Sequence, residues 1–335
     1  MHRHDSRDRE RDQRDSQMKA LLLKAVISVL LIVSVLHFNR IEGVTDRMLT
    51  ADLLALGFAV CIAIATSFVH AARWMIVIKA VGNVISYTRA TRIVLIGYFF
   101  NHFLPTSLGG DVFRIWHTYR DGVGLASAAN SVILDRVIAL LALLLMMTAS
   151  LPWLFTLIQD ASMKWAIAAA IIGGLCGIAL LIACDYLPTA FRRWKVFSMI
   201  MRLSTDSRAV FLQQRYNLPA IALSVFMHAI YAMLVFIIAS SIHLKIGIID
   251  CLLLVPPVIL IIMLPFSIAG WGLREGAMVV AFGFVNVAPS DAFALSVLTG
   301  IIVMVASLPG ALLWLLTDNL SKEPRFSVKD GPPNH

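Results

Sequence analysis

VIALLALLLMMTASLPWLFTLI, residues 137–158, runs its whole length without one charged side chain. A helix rises 1.5 Å per residue, so a segment of this length matches the roughly 30 Å hydrocarbon core of a bilayer. Windows 20–38, 52–72, 165–184, 217–241 and 292–317 read the same way. The whole chain agrees with them. It is 59% hydrophobic and 14% charged, against roughly 25% charged in a soluble domain, and its mean hydropathy is +0.83. So little polar surface cannot cover a water-soluble globule, so lipid is the solvent for most of the chain. The fold class is all-α: a polytopic integral membrane protein.

Two further apolar stretches, 93–119 and 249–284, are interrupted. The first contains LPTSLGGDVFR (104–114) and the second LPFSIAGWGLR (264–274). Proline removes a backbone donor and glycine loosens the chain, so a continuous helix through either point is not expected. The two interruptions align without gaps at an offset of 160, sharing Leu, Pro, Ser, Gly and Arg. The same shift carries 52–72 close to 217–241 and 137–158 close to 292–317. These matches predict an internal duplication with halves of about 20–158 and 165–317, within a membrane domain spanning 20–317. Each half would hold three spans and one re-entrant segment, giving six to eight transmembrane helices in all. An odd number of spans per half makes the halves antiparallel, an inverted repeat of the kind common in secondary transporters. Pro105, Gly109, Gly110, Pro265, Gly270 and Gly272 are the candidate hinge residues of the two breaks.

The net charge of +8 is spread between apolar segments rather than gathered in one patch. No zinc, helix-turn-helix or RNA-binding signature accompanies it, so no nucleic-acid partner is expected. It sets orientation instead. Arg192, Arg193, Lys195, Arg202, Arg208 and Arg215 fall in one loop, and Arg73, Lys79, Arg89, Arg92, Arg114 and Arg120 in another stretch. The positive-inside rule puts both on the cytoplasmic face of the cell (inner) membrane, together with both termini. Residues 1–19 alternate Arg with Asp and Glu and read as a disordered cytoplasmic tail, and 318–335 as a second tail. Cys61, Cys176, Cys184 and Cys251 lie in apolar stretches without metal spacing and read as small core residues. Trp74, Trp116, Trp153, Trp165 and Trp194 sit near segment ends and read as an interfacial belt. His70, His228 and His243 lack metal spacing and read as structural, so no metal or cofactor is expected. Residues 191–213 are basic with interspersed Phe, Met and Leu, which fits an amphipathic helix on the inner surface.

Charge inside a bilayer is expensive and marks functional candidates. Asp111 and Arg114 follow the first break, and Arg274 and Glu275 the second. Arg73 ends the second span, and Asp135-Arg136 opens the third. A guanidinium grips phosphate through two parallel N–H bonds, which suits an anionic lipid headgroup. The plainer alternative is that Arg274 with Glu275, and Asp111 with Arg114, are ion pairs that satisfy one another, with Arg73, Asp135 and Arg136 as boundary anchors.

NHFLPTSLGGDVFRIWHTYRDG (101–122), VILDRVIALLALLL (132–145) and LPFSIAGWGLREGAMVVAFGFVNVAPSDAFALSVL (264–298) together resemble the transmembrane region of lysylphosphatidylglycerol synthases. That region also occurs in stand-alone flippase-like proteins. Arg73-Trp74 fits the same pattern, and the resemblance covers roughly 20–317. It implies translocation of an anionic, aminoacylated or glycosylated lipid. Stand-alone relatives are associated with glycolipids and hopanoids, so the cargo stays open. The candidate substrate-binding residues are Arg73, Asn101, Asp111, Arg114, Asp135, Arg136, Arg274 and Glu275. The synthase domain of full-length members is expected to be missing, because residues 318–335 are too few to form it, so no enzyme activity is carried over. Two rival readings remain: a non-catalytic membrane partner of a separate lipid-modifying enzyme, and a membrane-embedded lipid transferase using Asp111, Asp135 or Glu275 as general base.

Overall fold

The computed structural model of the chain describes residues 49–103, 108–184, 195–263 and 272–317. The window 20–38, both tails, Trp194 and the hinge candidates Pro105, Pro265 and Gly270 lie outside the described residues. What is described is helical. The elements are α1 (Leu53–Ala80), α2 (Tyr87–Phe103), α3 (Gly109–Arg120), α4 (Leu125–Leu157), α5 (Ala161–Ala183), α6 (Lys195–Leu212), α7 (Gln214–Ser241), α8 (Ile248–Ile262), α9 (Leu273–Gly283) and α10 (Pro289–Thr317).

α1, α4, α5, α7 and α10 are long and apolar enough to cross a membrane. Each overlaps a window read from sequence, and most extend beyond it, because the polar residues at span ends keep helical geometry in the headgroup layer. α4 is the clearest case. It starts at Leu125 and runs for 33 residues, so Asp135 and Arg136 stand inside the helix instead of opening it. Pro152, Pro219 and Pro309 are accommodated within α4, α7 and α10. Neighbouring helices and local adjustments absorb the missing hydrogen bond in such a setting. At the other end of the bundle, Asp160 caps α5 by accepting from the Met163 N–H. The Ser162 hydroxyl and that N–H hold its exposed carboxyl below the usual range.

Burial separates an outer ring from an inner core. Leu54, Leu180 and Leu312 are exposed on the outside, where hydrocarbon solvates them as well as protein would. Cys61 and Cys176 are exposed too, which corrects their reading as core residues. Only a weakly polar thiol is asked of such a position, and lipid tolerates it. Cys251 is the buried one. Trp74 is also corrected: its ring is fully buried, whereas Trp116, Trp153 and Trp165 are exposed, as an interfacial belt requires.

The interior is organised around α1 and α7, which pack together along their length. They run antiparallel. The Asp52 N–H at the start of α1 donates to the Ser241 carbonyl at the end of α7 (2.9 Å). Far along α1, Arg73 reaches Ser224 near the start of α7. Several further contacts pair off: α2 packs on α10 as α8 packs on α4, and α4 on α7 as α10 on α1. α2 packs on α3, and α8 on α9. The α2–α3 pair is a hairpin pinned at both ends. Asn101 Oδ1 accepts from the Gly110 N–H (2.8 Å) at the tip, and Arg89 grips Asp121 through two 2.8 Å bonds at the base. With 17 and 12 residues, its arms span about 25 and 18 Å.

Candidate functional site

Three helices converge on one carboxylate. Asp135 on α4 accepts from Arg73 Nε on α1 (2.8 Å) and from Arg114 Nη2 on α3 (2.9 Å). His70, one turn before Arg73, adds a 2.8 Å bond from Nε2. All three charged members are buried. A carboxylate held by two guanidiniums and an imidazole is the kind of pairing that lets charge persist in a low dielectric. The carboxylate only accepts, so His70 Nε2 carries its proton, and Nδ1 accepts from the Tyr98 hydroxyl on α2 (3.2 Å). The sequence alone predicts a structural or interfacial His70. It is instead part of the charge cluster, and the i, i+3 spacing with Arg73 on one helix face was the available signal.

The cluster has a second rank. Arg114 lies 4.3 Å over the Trp74 ring, whose Nε1 donates to Ser131. Asp111 pairs with Arg114 (3.6 Å) and with Arg136. The Arg136 side chain is 37% exposed, so it reaches in from the edge. Gly110 lets α3 approach α2: a Cβ there would land on the Gly97 carbonyl. Gly109 opens α3 beside it. Arg73, Asn101, Asp111, Arg114, Asp135 and Arg136 are therefore brought together around the α2–α3 hairpin.

Arg274 and Glu275 form a separate group at the start of α9. Arg274 Nη2 donates to Glu275 Oε1 (2.7 Å) and Nε to Ser296 Oγ on α10 (3.2 Å). Glu275 Oε2 accepts from the Gly272 N–H (2.5 Å), which ties the first turn of α9 to a glycine with φ +86°. α10 makes room for the guanidinium at Gly300, where a Cβ would collide with it.

Between the two groups lies a cavity of about 290 Å³. Arg274 stands on its wall with Tyr98, His102, Tyr231, Ser67 and Ser307. Tyr98 belongs to both places, since its hydroxyl donates to His70. Tyr98, His102 and Tyr231 were not singled out from sequence. Tyr98 and His102 sit one helical turn apart on α2, a polar pair on an apolar helix that could have marked them. Among the described residues no group of three or more His, Cys, Asp or Glu could hold a metal ion.

Long apolar helices around a buried, charge-bearing interior define a multi-pass membrane protein. A sequence model of the lysylphosphatidylglycerol synthase TM region matches residues 21–310, and the chain belongs to that family. The match ties this membrane domain to lipid metabolism. No curated protein matches the chain.

Proposed function

We propose that this protein moves a lipid with an anionic headgroup between the leaflets of a bacterial inner membrane. The observation that carries this reading is Arg274: a buried guanidinium on the wall of a cavity lined by α1, α2, α7, α8, α9 and α10. A headgroup phosphate offers acceptors that the Arg274 guanidinium and the Tyr231 hydroxyl can share. Acyl chains would stay in the surrounding lipid.

Two features support alternating access. α1 and α7, equivalent at the offset of the duplicated motifs, run antiparallel in contact, as an inverted repeat requires. The pinned α2–α3 hairpin has arms too short to cross a core of roughly 30 Å singly, which suits a re-entrant segment. Arg114 takes a different part from Arg274. It bonds Asp135 and Asp111 and shapes the hairpin, while Arg274, bonded to Glu275 and Ser296, also lines the cavity and meets the headgroup there. Both termini are assigned to the cytoplasm by the distribution of arginine.

Purified protein in liposomes, with fluorescent phosphatidylglycerol and a membrane-impermeant quencher, tests the reading. Wild type should move label across the bilayer. R274A should do so about 10- to 100-fold more slowly, the worth of one charged hydrogen-bonding group. Equal rates for wild type and R274A, or no movement by wild type, would remove it.

A further inference from the structure

The cavity has a second polar group whose chemistry is unspent. His102 Nδ1 lies 2.8 Å from the Tyr98 carbonyl. A carbonyl only accepts, so Nδ1 carries the ring proton, and Nε2 is left with a lone pair. Nε2 has no partner among the described residues. The ring lines the same cavity as Arg274.

Charge balance decides what this base is for. The charged side chains at the cavity are Arg274, on its wall, and the Glu275 that it bonds. They sum to zero. An anionic headgroup entering the cavity therefore brings one uncompensated negative charge into a low dielectric, which is costly. From α1 the neighbouring titratable group is His70, already bound to Asp135 and Tyr98. From α3 come Asp111 and Arg114, engaged with Arg136 and Asp135. α7 brings Tyr231, and α9 brings Arg274 with Glu275. α10 contributes Gly300, Val303, Met304, Ala306 and Ser307, none of them titratable. His102 is left as the wall residue able to gain a positive charge near neutral pH.

Building on the lipid reading above, we infer that the cavity binds its anionic headgroup together with one proton, held on His102 Nε2. With the cavity empty, burial in a low dielectric opposes a charge on the His102 ring, and a guanidinium on the same wall adds to that. A phosphate between them removes the opposition and accepts a hydrogen bond from each. The proton is the coupling ion: it enters with the headgroup and leaves with it, so lipid movement is driven by a proton gradient.

The test is calorimetric titration of the purified full chain in detergent with dihexanoylphosphatidylglycerol. Its phosphodiester stays anionic across pH 6–8, so the lipid itself supplies no pH dependence. Two buffers of different ionisation enthalpy report proton uptake directly. Wild type should take up about one proton per lipid, and its Kd should rise about tenfold per pH unit in the window where only the occupied site holds the proton. H102Q should bind with a flat pH profile and no uptake. Binding by wild type without proton uptake, or an unchanged slope in H102Q, would overturn the proton while leaving lipid translocation standing. No binding at any pH would overturn both. Should H102Q fail to fold, the wild-type buffer comparison decides alone.

Discussion

At the scale of single residues, the polar interior is an exercise in paired charge. Asp135 holds two arginines from helices 62 and 21 residues away in sequence. D135N would leave Arg73 and Arg114 facing a neutral amide, and losing one partner of a buried pair costs about 3–5 kcal/mol. Its thermal unfolding in detergent should fall accordingly. R136Q, at the exposed edge of the network, should cost less than about 1 kcal/mol and serves as the control. A smaller gap between the two would mean the cluster is solvated. The sequence made every charged member of this cluster visible, because charge in an apolar run stands out. It could not say who pairs with whom, since Arg73 and Asp135 meet only after α1 and α4 pack. For His102 and Tyr98 it offered only their one-turn spacing on α2, a weak sign, because a histidine in a helix looks the same whether it fills a core or faces a cavity.

The helices themselves were more legible. Uninterrupted hydrophobicity located α1, α4, α5, α7 and α10, because length and apolarity are what a bilayer selects. Where the ends fall was less legible, since polar residues in the headgroup layer extend a helix without any apolar signal, as at Leu125–Arg136 of α4. The broken stretches were recognisable from Pro and Gly, and each is flanked by two short helices. The approach of α3 to α2 depends on Gly110. G110A should force the hairpin arms apart, break the Asn101 bond and lower stability by about 1–3 kcal/mol. Unfolding of G110A at the wild-type temperature would show that the hairpin arms are not in close contact.

For the molecule as a whole, the antiparallel α1–α7 pair fixes a testable topology. The turn after α1 and the turn after α7 must open on opposite sides of the membrane. In a background with the native cysteines replaced, K245C should react with an impermeant maleimide added to intact cells, and V84C should react only after permeabilisation. Reaction of both from one side would contradict the arrangement. The proposed duplication rests at this scale on a motif of eleven residues, both copies of which keep Leu, Pro, Ser, Gly and Arg. The handedness of their packing was not readable, because contacts between halves leave no local trace. One contact at that seam has a mechanical consequence. Arg73 clasps Asp135 through Nε and Ser224 through Nη1, the first within its own half and the second across to α7. Under the proposed inverted repeat, a slide of α7 along α1 would give up this Ser224 latch, worth about 1.5–3 kcal/mol, while the ion pair would ride along intact.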